Sequence, residues 1–236
     1  MGTRRRCRDP RRRVDRAAGA REWSARQPVI FDPPTDLSAA EIVAVERVFG
    51  LTSWVPEHVR QVRRLARQLF EEVRRHHGLG AAERRVLEVA AALHDVGFPR
   101  DPDRHHKISA KLIRSELTAS FAERDVHLIA LVARYHRRGG PKVRHRWYGR
   151  LESAERQTVT WLAGLLRVAD GLDRSHREAV QSISTRDVDG RLEIRVHGSG
   201  ALDEDVRGAA RKRDVLERAL GRPVLIRAAA LERVGV

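Results

Sequence analysis

Apolar residues recur at three- and four-residue steps from Leu37 to about Arg177. Val59, Val62, Leu65, Ala66, Leu69, Phe70 and Val73 mark one face of a helix. Pro56 sits near its start, where a missing N–H costs nothing. Val86, Leu87, Val89, Ala90 and Leu93 predict a second buried helix, stopped near Gly97 and Pro99. A third is predicted from about His105 through Ile108, Leu112, Ile113 and Leu117. A fourth carries Val126, Ile129, Val132 and Ala133, and a fifth Val159, Leu162, Ala163, Leu166 and Ala169. No strand-like alternation interrupts this stretch, so an all-helical domain is expected.

The pattern then changes. VQSISTRDVDGRLEIRV alternates on both sides of Asp189–Gly190, a two-residue hairpin signal. HGSG reads as a loop, and Asp203 as the cap of a helix running to Leu220 and ended by Gly221. Pro223 opens a last strand, PVLI. The expected organisation is a basic, disordered tail and linker over 1–36, a helical domain over 37–178, and a small ββαβ unit over 179–236. The fold class is mainly α with an α+β appendage.

Composition narrows the setting. The 236 residues carry a formal charge of +15, almost all from arginine. Such a surface attracts phosphate polymers, nucleic acid or anionic lipid, and the Arg-rich N-terminus could act as a polyanion-binding arm. No apolar run reaches the ~18–20 residues of a membrane span, so no membrane partner is expected. No apolar stretch follows the basic N-terminus, which argues against a secretory signal. Cys7 is the single cysteine, so an internal disulfide and cysteine-based zinc ribbons are excluded, and a reducing cytoplasm is the simplest location.

Five polar positions lie on or beside stripes that should face the core: His58, His94, Asp95, His136 and Asp170. A buried imidazole or carboxylate is costly unless paired or metal-bound. One is usually a satisfied core group; several on different helices, all of metal-ligand type, point to a metal site. Neighbouring helical residues point about 100° apart. His94 and Asp95 can still meet one ion beyond a helix end, where the dipole favours a cation. Such a nitrogen and oxygen set suits divalent manganese, iron, zinc, cobalt or magnesium. His105, or its neighbour His106, and His136 could extend the site to a second metal or bind a substrate oxygen. Lys107, Arg137, Arg138, Lys142 and Arg174 would form a cationic rim suited to a phosphate ester or anhydride. The remaining histidines, His176 among them, read as structural.

The order His58, His94–Asp95, His105, His136, Asp170 resembles the HD-domain superfamily of metal-dependent phosphohydrolases. HVRQVRRLARQLF is similar to the helix of its first histidine, LHDVG to its HD motif, and HHKISAKLI to the helix of its third histidine. HHKISAKLI, LIALVARYHRRGGPK and LLRVADGLDRSH, in that order, more closely resemble the C-terminal region of the exopolyphosphatase and guanosine pentaphosphate phosphohydrolase family. This likeness covers roughly residues 37–230 and includes the hairpin–helix–strand tail. In that family the polyphosphatase site lies in actin-like ATPase domains, for which this chain has no room. The resemblance therefore implies the HD module, not exopolyphosphatase activity.

The leading expectation is a stand-alone phosphohydrolase acting on a nucleotide or another small phosphorylated compound, with polyphosphate as a further substrate. His58, His94, Asp95 and Asp170 would hold the metal, and Asp95 would orient or deprotonate the attacking water. His105 and His136 would act beside it, with Lys107, Arg137, Arg138 and Arg174 binding substrate. Asp173 reads as a support or a helix-end acid. The alternative is a non-catalytic polyphosphate- or nucleotide-binding module, with homodimerisation part of that role. A third reading is a subunit completing a separately encoded actin-like phosphatase.

Overall fold

The computed structural model describes residues 36–50 and 56–229. The tail expected over 1–36 lies outside them except for Asp36, and the described residues fall in one compact unit. Among them are α1 (Ala39–Gly50), α2 (Pro56–Glu72), α3 (Arg74–His77), α4 (Ala81–Leu93), α5 (His105–Glu116), α6 (Glu123–Tyr135) and α7 (Ser153–Gly171). The hairpin β1 (Val180–Val188) and β2 (Arg191–Gly198) follows, then α8 (Asp203–Lys212), α9 (Asp214–Leu220) and β3 (Val224–Ala228). The fold is mainly α with a small three-stranded sheet, as the pattern predicts. No described helix is long and apolar enough to cross a membrane.

The predicted stripes form the core. Every apolar residue quoted above for α2, and every one quoted for α4, α6 and α7, is at most 5% exposed. Burying each large side chain contributes about 1.5–3 kcal/mol. Hydrophobic burial thereby fixes the ends of α4, α6 and α7, and with them His94, His136 and Asp170.

The sheet order is β1-β2-β3, with β1 and β2 antiparallel and β2 and β3 parallel. Asp189 (φ 48°) and Gly190 (φ 72°) make the predicted hairpin turn. Helix α2 covers the β1 edge: Gln61, Arg64 and Gln68 donate to the carbonyls of Val180, Gln181 and Ile183. The single helix expected from Asp203 to Leu220 is instead two, divided at Arg213. Asp203 is its first helical residue, not its cap, whereas Gly221 ends α9 in the left-handed conformation, as expected.

Two glycines bring this C-terminal unit against the helical part. A Cβ on Gly171 would lie 2.5 Å from Ala209 Cα, and one on Gly208 would lie 2.4 Å from the Gly171 carbonyl oxygen. The backbones of α7 and α8 therefore touch. Arg167 secures the contact, donating to the Lys212 carbonyl and pairing with Asp214 at 2.7 Å.

Candidate metal centre

The ends of five helices and the turns beside them converge on a cleft of about 480 Å³. His58 comes from the first turn of α2, His94 caps α4, and Asp95 follows it. His105 opens α5, His136 caps α6, and Asp170 lies in the last turn of α7. Gly97 acts differently from the expected helix stop. Helix α4 has already ended at Leu93; a Cβ on Gly97 would lie 2.6 Å from the His105 carbonyl oxygen and 2.7 Å from Ser109 N. The turn thus packs directly on α5 and sets Asp95 beside His105.

The histidines share one device. Nδ1 of His94 lies 2.7 Å from the Ala91 carbonyl, that of His105 2.7 Å from Pro102, and that of His136 2.6 Å from Ala133. Each ring bonds the carbonyl three residues earlier. Nδ1 of His58 lies 2.7 Å from Asp173 Oδ2. A carbonyl can only accept, so a neutral ring bonded this way carries its proton on Nδ1 and offers a bare Nε2. Arg137 Nη1 lies 3.1 Å from His105 Nδ1 but closer, at 2.6 Å, to the Pro102 carbonyl, which accepts from both groups and leaves the proton on Nδ1.

The Nε2 atoms gather around two carboxylates. Asp95 Oδ1 lies 3.1 Å from His105 Nε2 and 3.4 Å from His136 Nε2; Oδ2 lies 3.6 Å from His94 Nε2. Asp170 Oδ1 lies 3.7 Å from His58 Nε2. His105 Nε2 and His136 Nε2 face each other at 3.1 Å. Three atoms of this cluster are buried with no hydrogen-bond partner among the described residues: His58 Nε2, His94 Nε2 and Asp95 Oδ1. Donor atoms within 4.8 Å of one another form the sets His58–His94–Asp95, His94–His136–Asp170 and Asp95–His105–His136. Orphaned acceptors turned towards one another are what a cation would satisfy, so these residues fit a divalent ion.

The electrostatics agree. Burial opposes charge on His58, but Asp173, Asp170 and Asp95 outweigh it and raise its pKa. Burial also opposes charge on Asp95, yet His94, His105 and His136 hold its carboxyl well below the usual range. Asp170 is likewise held low, by Lys212, His136 and His94 against burial. Burial drives His136 the other way, far below an ordinary imidazole. The carboxylates that favour a proton on His58 would equally favour a metal ion.

The structure sorts the expected rim. Arg137 and Arg174 line the cleft. Lys107 is exposed and lies off it, two residues and about 200° around α5 from His105. Arg138 is also exposed and off the cleft lining; it turns at φ 65° and reaches Asp103 at 3.4 Å. Lys142 is exposed too and does not line it. Of the His105–His106 pair, His105 faces the cleft, while burial lowers His106 to a pKa of about 4.

Sequence reasoning missed Arg211 and Lys212, which line the cleft from the end of α8, Lys212 in contact with Asp170. It also set aside His176, whose ring centroid lies 4.3 Å from that of His58 at a tilt of 35° and which forms a further donor set with His58 and Asp173. The signal for His176 was in LLRVADGLDRSH, six residues beyond Asp170. No local signal marked Lys212.

A family model described as Ppx/GppA phosphatase, domain III, matches residues 55–203. No curated protein matches the chain.

Proposed function

The chain belongs to the Ppx/GppA phosphatase domain III family, and from that premise we propose that it is a metal-dependent phosphohydrolase of HD type acting on a phosphate ester or anhydride. The substrate class is a nucleotide or another small phosphorylated compound, with polyphosphate included. The observation that carries the proposal is the set of bare Nε2 atoms around Asp95, each fixed by an Nδ1 bond behind it.

His58, His94, Asp95 and Asp170 would hold the ion, with His105 and His136 next to Asp95. A divalent ion bound there supplies Lewis acidity toward a phosphoryl oxygen and lowers the pKa of a water. Asp95 lies between the His94 side and the His105–His136 side, and would orient or deprotonate a water there. Arg137, Arg174, Arg211 and Lys212 would neutralise the phosphoryl charge, the guanidiniums by bidentate hydrogen bonds. The small C-terminal unit is thereby part of the substrate site.

The test is metal content by mass spectrometry, followed by assay of phosphate esters, nucleotides and polyphosphate with wild type and Asp95→Ala. Metal in the wild type, with hydrolysis lost in Asp95→Ala, supports the proposal. A metal-free, inactive protein that still binds polyphosphate overturns it in favour of a binding module.

A further inference from the structure

Away from the cleft, the segment between α6 and α7 carries an exposed tryptophan surrounded by arginine. Trp147 is 37% exposed and Val143 67%. The guanidinium carbons of Arg146, Arg150 and Arg114 lie 5.1, 5.4 and 5.5 Å from an indole ring centroid of Trp147. The His127 ring meets Trp147 edge-on at 5.5 Å. Arg114 comes from α5 and His127 from α6, so the indole gathers cations from separate elements.

These cations have no counter-ion among the described residues. Among the described residues, Arg114, Arg134, Lys142, Arg144, Arg146 and Arg150 have no carboxylate within 4.0 Å. Arg84, Arg85, Arg124 and Arg186, by contrast, each have one within 3.0 Å. Glu155 shares a groove with Arg150 but is taken by Arg124 at 3.0 Å. Like charges are crowded as well: after burial, Arg134 is what lowers the pKa of Arg114. Cation–π contact with one ring offsets part of that repulsion. An unpaired cluster of this kind calls for a polyanion, and the indole narrows the choice. Inorganic polyphosphate has nothing to set against an aromatic ring. A membrane anchor would need more apolar surface than one valine and an indole crowded by guanidiniums.

We propose that this surface binds single-stranded nucleic acid, the arginines engaging phosphates and Trp147 a base. That division of labour is common where strands are held without sequence preference. The site is independent of the metal centre, and its occupancy does not depend on hydrolysis.

Fluorescence anisotropy of a labelled oligouridylate, titrated with the full chain over a salt series, tests it. Trp147→Ala should weaken binding roughly tenfold, as expected for loss of one stacked base. It should leave the affinity for inorganic polyphosphate unchanged. Arg146→Ala with Arg150→Ala should flatten the slope of log K against log salt by about 1.4. Circular dichroism confirms that each variant is folded, and the double arginine variant serves as the test if Trp147→Ala is not. Unchanged oligonucleotide affinity in a folded variant overturns the proposal. So does equal loss of oligonucleotide and polyphosphate binding in Trp147→Ala. Binding to phosphatidylserine vesicles without oligonucleotide binding also overturns it.

Discussion

Asp173 Oδ2 lies 2.7 Å from His58 Nδ1, and Asp173 Oδ1 accepts the backbone N–H of Glu178 at 3.1 Å. One carboxylate therefore ties the turn after α7 and decides which His58 nitrogen faces the cleft. The other three histidines use backbone carbonyls for this purpose; His58 alone uses a charged side chain. Asp173→Asn keeps an acceptor but removes the charge. Metal affinity should fall about tenfold, the low end for a group that orients a ligand from behind. Isothermal titration with manganese or zinc measures it; unchanged affinity would show that the pair only braces the fold.

Gly97 predicts a second effect. Gly97→Ala would drive a methyl into the backbone of His105 and Ser109, which no side-chain rotation can relieve. Helix α5 must shift, costing about 1–3 kcal/mol. Thermal denaturation should show a lower Tm, and His105 should lose its place beside Asp95. Gly139→Ala is the control, since a methyl there meets nothing within 4 Å. Equal melting of the two variants would refute the close-approach role.

Much of this was legible in the sequence, for identifiable reasons. Helical periodicity placed α2, α4, α5, α6 and α7, because their buried faces are nearly uninterrupted. His58, His94, Asp95, His136 and Asp170 stood out as polar residues where those faces continue, and they do meet. Lys107 misled because sequence proximity to His105 says nothing about rotation around the helix. Lys212 was hidden because it reaches the cleft only through the Gly171–Gly208 crossing, a tertiary contact without a local pattern. The break at Arg213 was hidden as well. It lets α8 and α9 lie against α7 separately, with Gly164 touching the backbone of Leu216.

His77 gives a pH-dependent prediction remote from the metal centre. Its Nδ1 accepts the Leu79 N–H at 2.9 Å, and its Nε2 donates to the Phe70 carbonyl at 2.9 Å. Only the neutral ring can do both. Burial lowers its pKa, outweighing the Phe70 carbonyl. Below the unfolded value, near 6.5, the unfolded chain therefore binds more protons than the folded one. The stability His77 contributes is fully present above about pH 6.5 and is lost as pH falls towards its lower folded value. Wild type should melt above His77→Gln at pH 7.5, by a margin that shrinks at pH 5.5. A margin that grows on acidification contradicts the assigned tautomer.

Lys212 holds one oxygen of Asp170 while the other faces His58. An ammonium in that position neutralises the carboxylate and repels a second cation brought to it. It also adds to the positive charge that a phosphate ester or anhydride would meet beside Arg174 and Arg211. Lys212→Met removes both effects while keeping most of the side chain's volume. The variant should bind divalent metal more tightly, measured by competition with a chelator. Its KM for a phosphorylated substrate should rise, on the order of tenfold, because uniform binding of the anion is lost. The two changes run in opposite directions, which general damage to the site would not produce. Weaker metal binding in Lys212→Met would show instead that the ammonium's main role is to hold Asp170 in position.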